Sequence, residues 1–168
     1  MISEKVFRDK IASVIKKLID TDPFFKYFED YIKAVFIDHG DKFIVFTHKA
    51  ATKKAGLAGG FQYPNKIYID KNFVEREIAK RQGKDLLGLV LFLILRHELR
   101  HFIQCVVMID ICDNFEDAEK CWKSVTKNRE TDPLELDAYL MEHGEDKSIE
   151  EFYDFINGLI EEYRNVSK

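Results

Sequence analysis

The chain has 168 residues, 46% of them hydrophobic and 33% charged, and carries a net charge of -4. That length and apolar content suffice for one sizeable core and predict a single domain over residues 1–168. The slightly acidic balance argues against a nucleic-acid surface.

The N-terminus, MISEKVFRDK, alternates charge with apolar residues and lacks the apolar stretch of a signal peptide. Val6, Ile11, Val14, Ile15 and Leu18 then recur at helical spacing, which predicts an amphipathic helix over 3–20. Asp22-Pro23 reads as a helix cap followed by a first-turn proline. KAVFID (33–38) and KFIVFT (42–47) read as two strands, with His39-Gly40-Asp41 as a hairpin turn between them. Residues 49–64, with glycines at 56, 59 and 60, read as a loop, and NKIYID (65–70) as a third strand. The glycines allow close approach of a substrate or a loop, or simply a turn with positive φ. The basic stretch Lys49–Lys54 reads as a solvated loop, and His39 and His48 as surface residues.

From Lys84 to about Ile111 the chain reads as one helix, opening with the run LLGLVLFLIL (86–95). Ten residues are half of the roughly 20 that a bilayer demands, so the run predicts a buried helix and no membrane anchor. Further helices are predicted near 114–125, 133–143 and from Ser148, where Ser148 and Glu151 form a capping box. Three cysteines, 105, 112 and 121, cannot all pair within the chain and form no CxxC, which fits a reducing, cytoplasmic setting. The order of helices, a small sheet, then helices predicts an α+β fold. Trp122, Phe115 and Tyr153 read as core residues.

The chemistry concentrates in RHELRHFIQ (96–104). Residues four apart on a helix lie roughly 40° apart around its axis, so His97 and His101 point the same way. Two neutral imidazoles there can reach one zinc ion, with Zn–N of about 2.0–2.1 Å. Glu98 stands roughly 100° aside, placed to take a proton from a water at the metal. This is the HExxH arrangement of metalloproteases. Leu86, Val90, Leu93 and Ile94 continue the histidine face as an apolar stripe. Arg96, Arg100 and Gln104 cluster on a neighbouring face, read as the solvent side. Cys105, one turn past His101, reads as a buried apolar cysteine rather than a ligand.

Catalytic zinc takes three protein ligands and keeps a position open for water. RETDPLELDAYLMEH (129–143) offers Glu135, either the capping-box partner of Asp132 or the third ligand. Asp132, Asp137 and His143 are rivals for that place. Tyr139, one turn past Glu135, could bring its hydroxyl to the same site. Asp137 could instead orient a histidine as a hydrogen-bond acceptor.

HELRH followed some thirty residues later by ExDA resembles the zincin metallopeptidases with a glutamate ligand. It is similar to small phage and bacterial members such as ImmA/IrrE-like peptidases, over roughly residues 56–143. The resemblance implies zinc held by His97, His101 and Glu135, with Glu98 as general base. It also implies a minimal zincin-like α+β fold, with a small three-stranded antiparallel or mixed sheet packed on the HExxH helix. NKIYID would be an edge strand along which a protein or peptide substrate lies. The activity implied is zinc-dependent hydrolysis of peptide bonds. The alternative is a catalytically inactive zincin-fold module that binds a protein partner.

Overall fold

The computed structural model describes residues 1–47 and 59–167, which are α+β: helices and one three-stranded mixed sheet. They divide into two compact units, residues 1–99 and residues from 100 onward. The boundary falls inside one continuous helix.

The first unit opens with α1 (Glu4–Thr21). Ser3 caps it through a hydrogen bond from the Val6 amide, satisfying one of the amides a helix start leaves unpaired. Its buried face is Phe7, Ile11, Val14, Ile15, Leu18 and Ile19, so Phe7 takes the inward place expected of Val6. Asp22 caps α2 (Pro23–Tyr27), with the proline at its first turn as expected.

The predicted hairpin does not form. Short α3 (Glu29–Ile32) runs into a wide helical turn over Lys33–Ile37, where the Asp38 amide bonds the Lys33 carbonyl at 2.9 Å. The buried residues are Phe28, Ile32 and Phe36, four apart. That spacing is helical, and it overrode the β-branched composition of KAVFID. His39-Gly40-Asp41 correspondingly opens short α4 (Gly40–Phe43) rather than turning between strands.

The sheet has the order β1-β3-β2. β1 (Ile44–Thr47) pairs parallel with β3 (Lys66–Asp70), Ile44 opposite Ile67. β2 (Gly59–Gln62) pairs antiparallel with β3, Gly59 opposite Ile69. NKIYID is thus the central strand, not an edge, and Ile67 and Ile69 are its buried side as the alternation predicted. A central strand needs partners for both rows of its backbone groups, and β1 and β2 supply them. Residues 59–62 belong to a strand rather than a loop. The readings placed on His48, Lys49–Lys54 and Gly56 lie outside the described residues. A helix the sequence reading passed over, α5 (Lys71–Ala79), is capped by Asp70, which accepts from the Phe73 amide at 3.0 Å.

Helix α6 (Leu86–Cys112) carries the motif and passes from the first unit to the second. β2 lies hard against its first half. A Cβ on Gly59 would stand 2.6 Å from Ile94 Cγ2 and 3.4 Å from Glu98 Cγ, so only glycine lets the strand come this close.

The second unit adds α7 (Phe115–Val125), α8 (Pro133–Glu142) and α9 (Ile149–Val166). The Ser148–Glu151 capping box starts α9 as predicted. Leu134, Ala138, Met141, Phe152, Ile156 and Ile160 are among its buried apolar residues, with Ile103, Val107 and Met108 of α6. Phe115, read as core, is exposed at the start of α7. No helix among the described residues is long and apolar enough to cross a membrane.

Candidate metal centre

His97, His101 and Glu135 each offer a ligand atom within 4.8 Å of the others. Among the described residues this is the one such set, and no fourth His, Cys, Asp or Glu joins it. Local geometry supplies two members: His97 and His101 stand one turn apart on α6. The third comes from the start of α8. Asp132 is the N-cap there and accepts from the amides of Leu134 at 2.8 Å and Glu135 at 3.3 Å. With Pro133 at the first turn, this cap sets where α8 begins and hence where Glu135 points. Glu135 Oε1 lies 2.5 Å from His101 Nε2.

The rivals for the third place are occupied elsewhere. Asp132 is the cap, and burial raises its pKa against the lowering effect of those two amides. His143 closes α8 and donates from Nδ1 to the Tyr139 carbonyl at 2.8 Å. Asp137 is buried against Arg100. Cys105 is fully buried outside the set, and burial drives its thiol well above its ordinary pKa. Glu98, next to His97, is buried as well. Tyr139 is 54% exposed, with its ring stacked 4.1 Å from that of His143. Trp122 meets the His101 ring edge-on at 6.4 Å between centroids.

Of the three residues read as the solvent side of α6, Arg96 is half-buried, and the other two do not reach solvent. Arg100 and Gln104 are both 0% exposed. Arg100 grips Asp137 through Nε to Oδ2 at 2.8 Å and Nη2 to Oδ1 at 2.9 Å. Its Nη1 reaches Asp146 at 2.8 Å, and its guanidinium lies 4.7 Å above the Phe152 ring. Lys147 adds a second cation on Asp137 Oδ1 at 2.6 Å. Burial by itself would raise the Asp137 pKa. The hydrogen bonds and charge of Arg100, with Lys147 and Gln104, outweigh it and hold the carboxyl below its ordinary value.

Asp137 therefore does not orient a histidine directly, the role the sequence offered it. Gln104 stands between them: it donates to Asp137 Oδ2 at 2.9 Å and to the Leu134 carbonyl at 3.0 Å, while its Oε1 lies 2.8 Å from His101 Nδ1. Sequence reasoning missed Gln104 and Arg100 because their partners stand 30 to 46 positions away. The available signal was the ninth residue of RHELRHFIQ: an amide three positions after a ligand histidine can reach its ring.

A metal fits the donor set. Two imidazoles and a carboxylate are the nitrogen and oxygen ligands zinc takes. The 2.5 Å between the Glu135 oxygen and the His101 nitrogen is a hydrogen-bond distance with a proton between them, and a bound metal would take the place of that proton. Comparison of the chain with protein-family models, curated proteins and solved structures gives no match.

Proposed function

We propose that the protein is a zinc-dependent metallopeptidase of zincin-like fold. The observation that carries this reading is the convergence of His97, His101 and Glu135 with no fourth protein ligand among the described residues. Structural zinc sites are closed by four protein ligands, whereas catalytic ones hold three and leave room for water. When bound, zinc supplies Lewis-acid chemistry, lowering the pKa of a water and polarising a carbonyl.

This chain's residues do the rest. His97, His101 and Glu135 fix the ion. Glu98, buried and adjacent to His97, takes the proton of the attacking water and passes it to the leaving amine. Tyr139, on the exposed face of α8 one turn past Glu135, is assigned to donate to the oxyanion. Among the described residues β2 is an edge of the sheet, with Gly59 beside Glu98, and an extended substrate backbone would add to it through main-chain hydrogen bonds. The substrate is accordingly a protein or peptide in extended form.

Elemental analysis of the purified protein tests the site. About one zinc per chain is expected from a single three-ligand site, lost in His97→Ala and in Glu135→Ala. Glu98→Gln should keep the zinc and lose cleavage of a quenched peptide library. Cleavage by Glu98→Gln at the wild-type rate would remove Glu98 from the mechanism. Zinc retained by Glu135→Ala would move the third ligand elsewhere.

A further inference from the structure

Resting on the zinc-site reading, we infer that Gln104 is a positioning residue: it holds a proton on Nδ1 of His101 and so presents Nε2 to the metal. The assignment follows from what surrounds the Gln104 amide. Its nitrogen lies 3.0 Å from the Leu134 carbonyl oxygen and 2.9 Å from Asp137 Oδ2. Neither neighbour can donate. One is a backbone carbonyl, and the other is a carboxylate held between Arg100 and Lys147. Turning the amide over would set an oxygen against two acceptors, so both of its N–H groups are used there.

The remaining amide atom, Oε1, can only accept. His101 Nδ1, 2.8 Å away, is therefore the N–H partner. The other ring nitrogen faces Glu135. The imidazole is thus oriented before any ion arrives. The chain of contacts runs on from Gln104 to Asp137 and to Arg100, all of them buried. The rigidity of that charge pair passes to the ligand ring. Outer partners of this kind typically change metal affinity by about 10–100-fold.

The test is a long-range proton–nitrogen NMR correlation on the full chain with nitrogen-15 histidine, metal-free and with zinc added. It reads which ring nitrogen of His101 carries a proton. A proton on Nδ1 in both states is expected, joined in the metal-free state by the one that Nε2 shares with Glu135. A bare Nδ1 with the proton on Nε2 would overturn the inference, whatever the zinc result. Gln104→Met, which keeps the length and removes the amide, should lose the slow exchange of that proton. It should also bind zinc about 10–100-fold more weakly in competition with a chromophoric chelator. Unchanged affinity in a folded Gln104→Met protein would equally refute the role. The wild-type spectrum decides the tautomer even if the variant does not fold. Wild-type protein that shows the Nδ1 proton but takes up no zinc would sink the peptidase reading alone.

Discussion

The two halves of α6 contradict their composition. Leu86–Leu95 is wholly apolar apart from Gly88, yet Leu89 and Leu93 are 48% and 51% exposed. Arg96–Gln104 is the polar half, yet Glu98, Arg100, His101 and Gln104 are buried, two of them completely. Apolar residues outside are ordinary, since much of any folded surface is apolar. Buried charge is not ordinary and persists only where partners satisfy it. The difference between the halves therefore lies in what meets them. In the first half Gly59 of β2 comes close at Ile94. In the second, Asp137, Asp146 and Lys147 form a shell of opposite and like charges around Arg100.

Breaking that shell should have the largest effect. Asp137→Ala removes the acceptor of Arg100, Lys147 and Gln104 together, and leaves a buried guanidinium short of its main partner. A loss of about 3–5 kcal/mol in urea unfolding is expected. Pairing it with Arg100→Met should recover part of the loss, because the double variant no longer buries an uncompensated guanidinium. A double variant as unstable as Asp137→Ala would show that the network stabilises by more than charge balance.

A gentler break is protonation. Asp137 has a folded-state pKa below its unfolded value, which is about 3.9. Its contribution is therefore complete above that value and is lost as pH falls through the folded pKa. Stability should decline on acidification from about pH 5 downward more steeply in wild type than in Asp137→Asn. Equal slopes would remove Asp137 from the acid response.

The apolar half offers the contrast. Gly59→Ala places a methyl 2.6 Å from Ile94 Cγ2, inside any real contact distance. Overpacking of this kind costs about 1–3 kcal/mol, measurable as a lowered thermal midpoint. Leu93→Gln should be the smallest change, within about 0.5 kcal/mol, because the side chain is half in water. A larger loss there would mean that Leu93 is covered in the working protein.

Much of this molecule was legible along the chain wherever the cause is local. Asp22, Asp132 and Ser148 each start a helix by bonding amides two or three residues on, and the sequence places them through the proline or glutamate that follows. The same holds for His97 and His101, whose common direction follows from the pitch of one helix. The strand expected over 33–38 gives way to helical turns because Phe28, Ile32 and Phe36 recur at helical spacing, whereas KFIVFT keeps its strand at Ile44–Thr47. Strand alternation in NKIYID revealed which side is buried but not that both edges are paired. Pairing is made by β1 and β2, and alternation carries no trace of it.

Along the candidate site the same line divides the two kinds of knowledge. The i, i+4 histidines and the capped start of α8 are properties of short segments, written in adjacent residues. That Glu135 rather than Asp132, Asp137 or His143 stands with the histidines is a property of packing, since all four lie within one short stretch of polar candidates. So is the fate of Arg100 and Gln104, which look like a solvent face until α8 and Asp146 arrive. A charged side chain is exposed or buried according to whether distant groups can replace its water. No periodicity records that, because the replacing groups are brought by the fold.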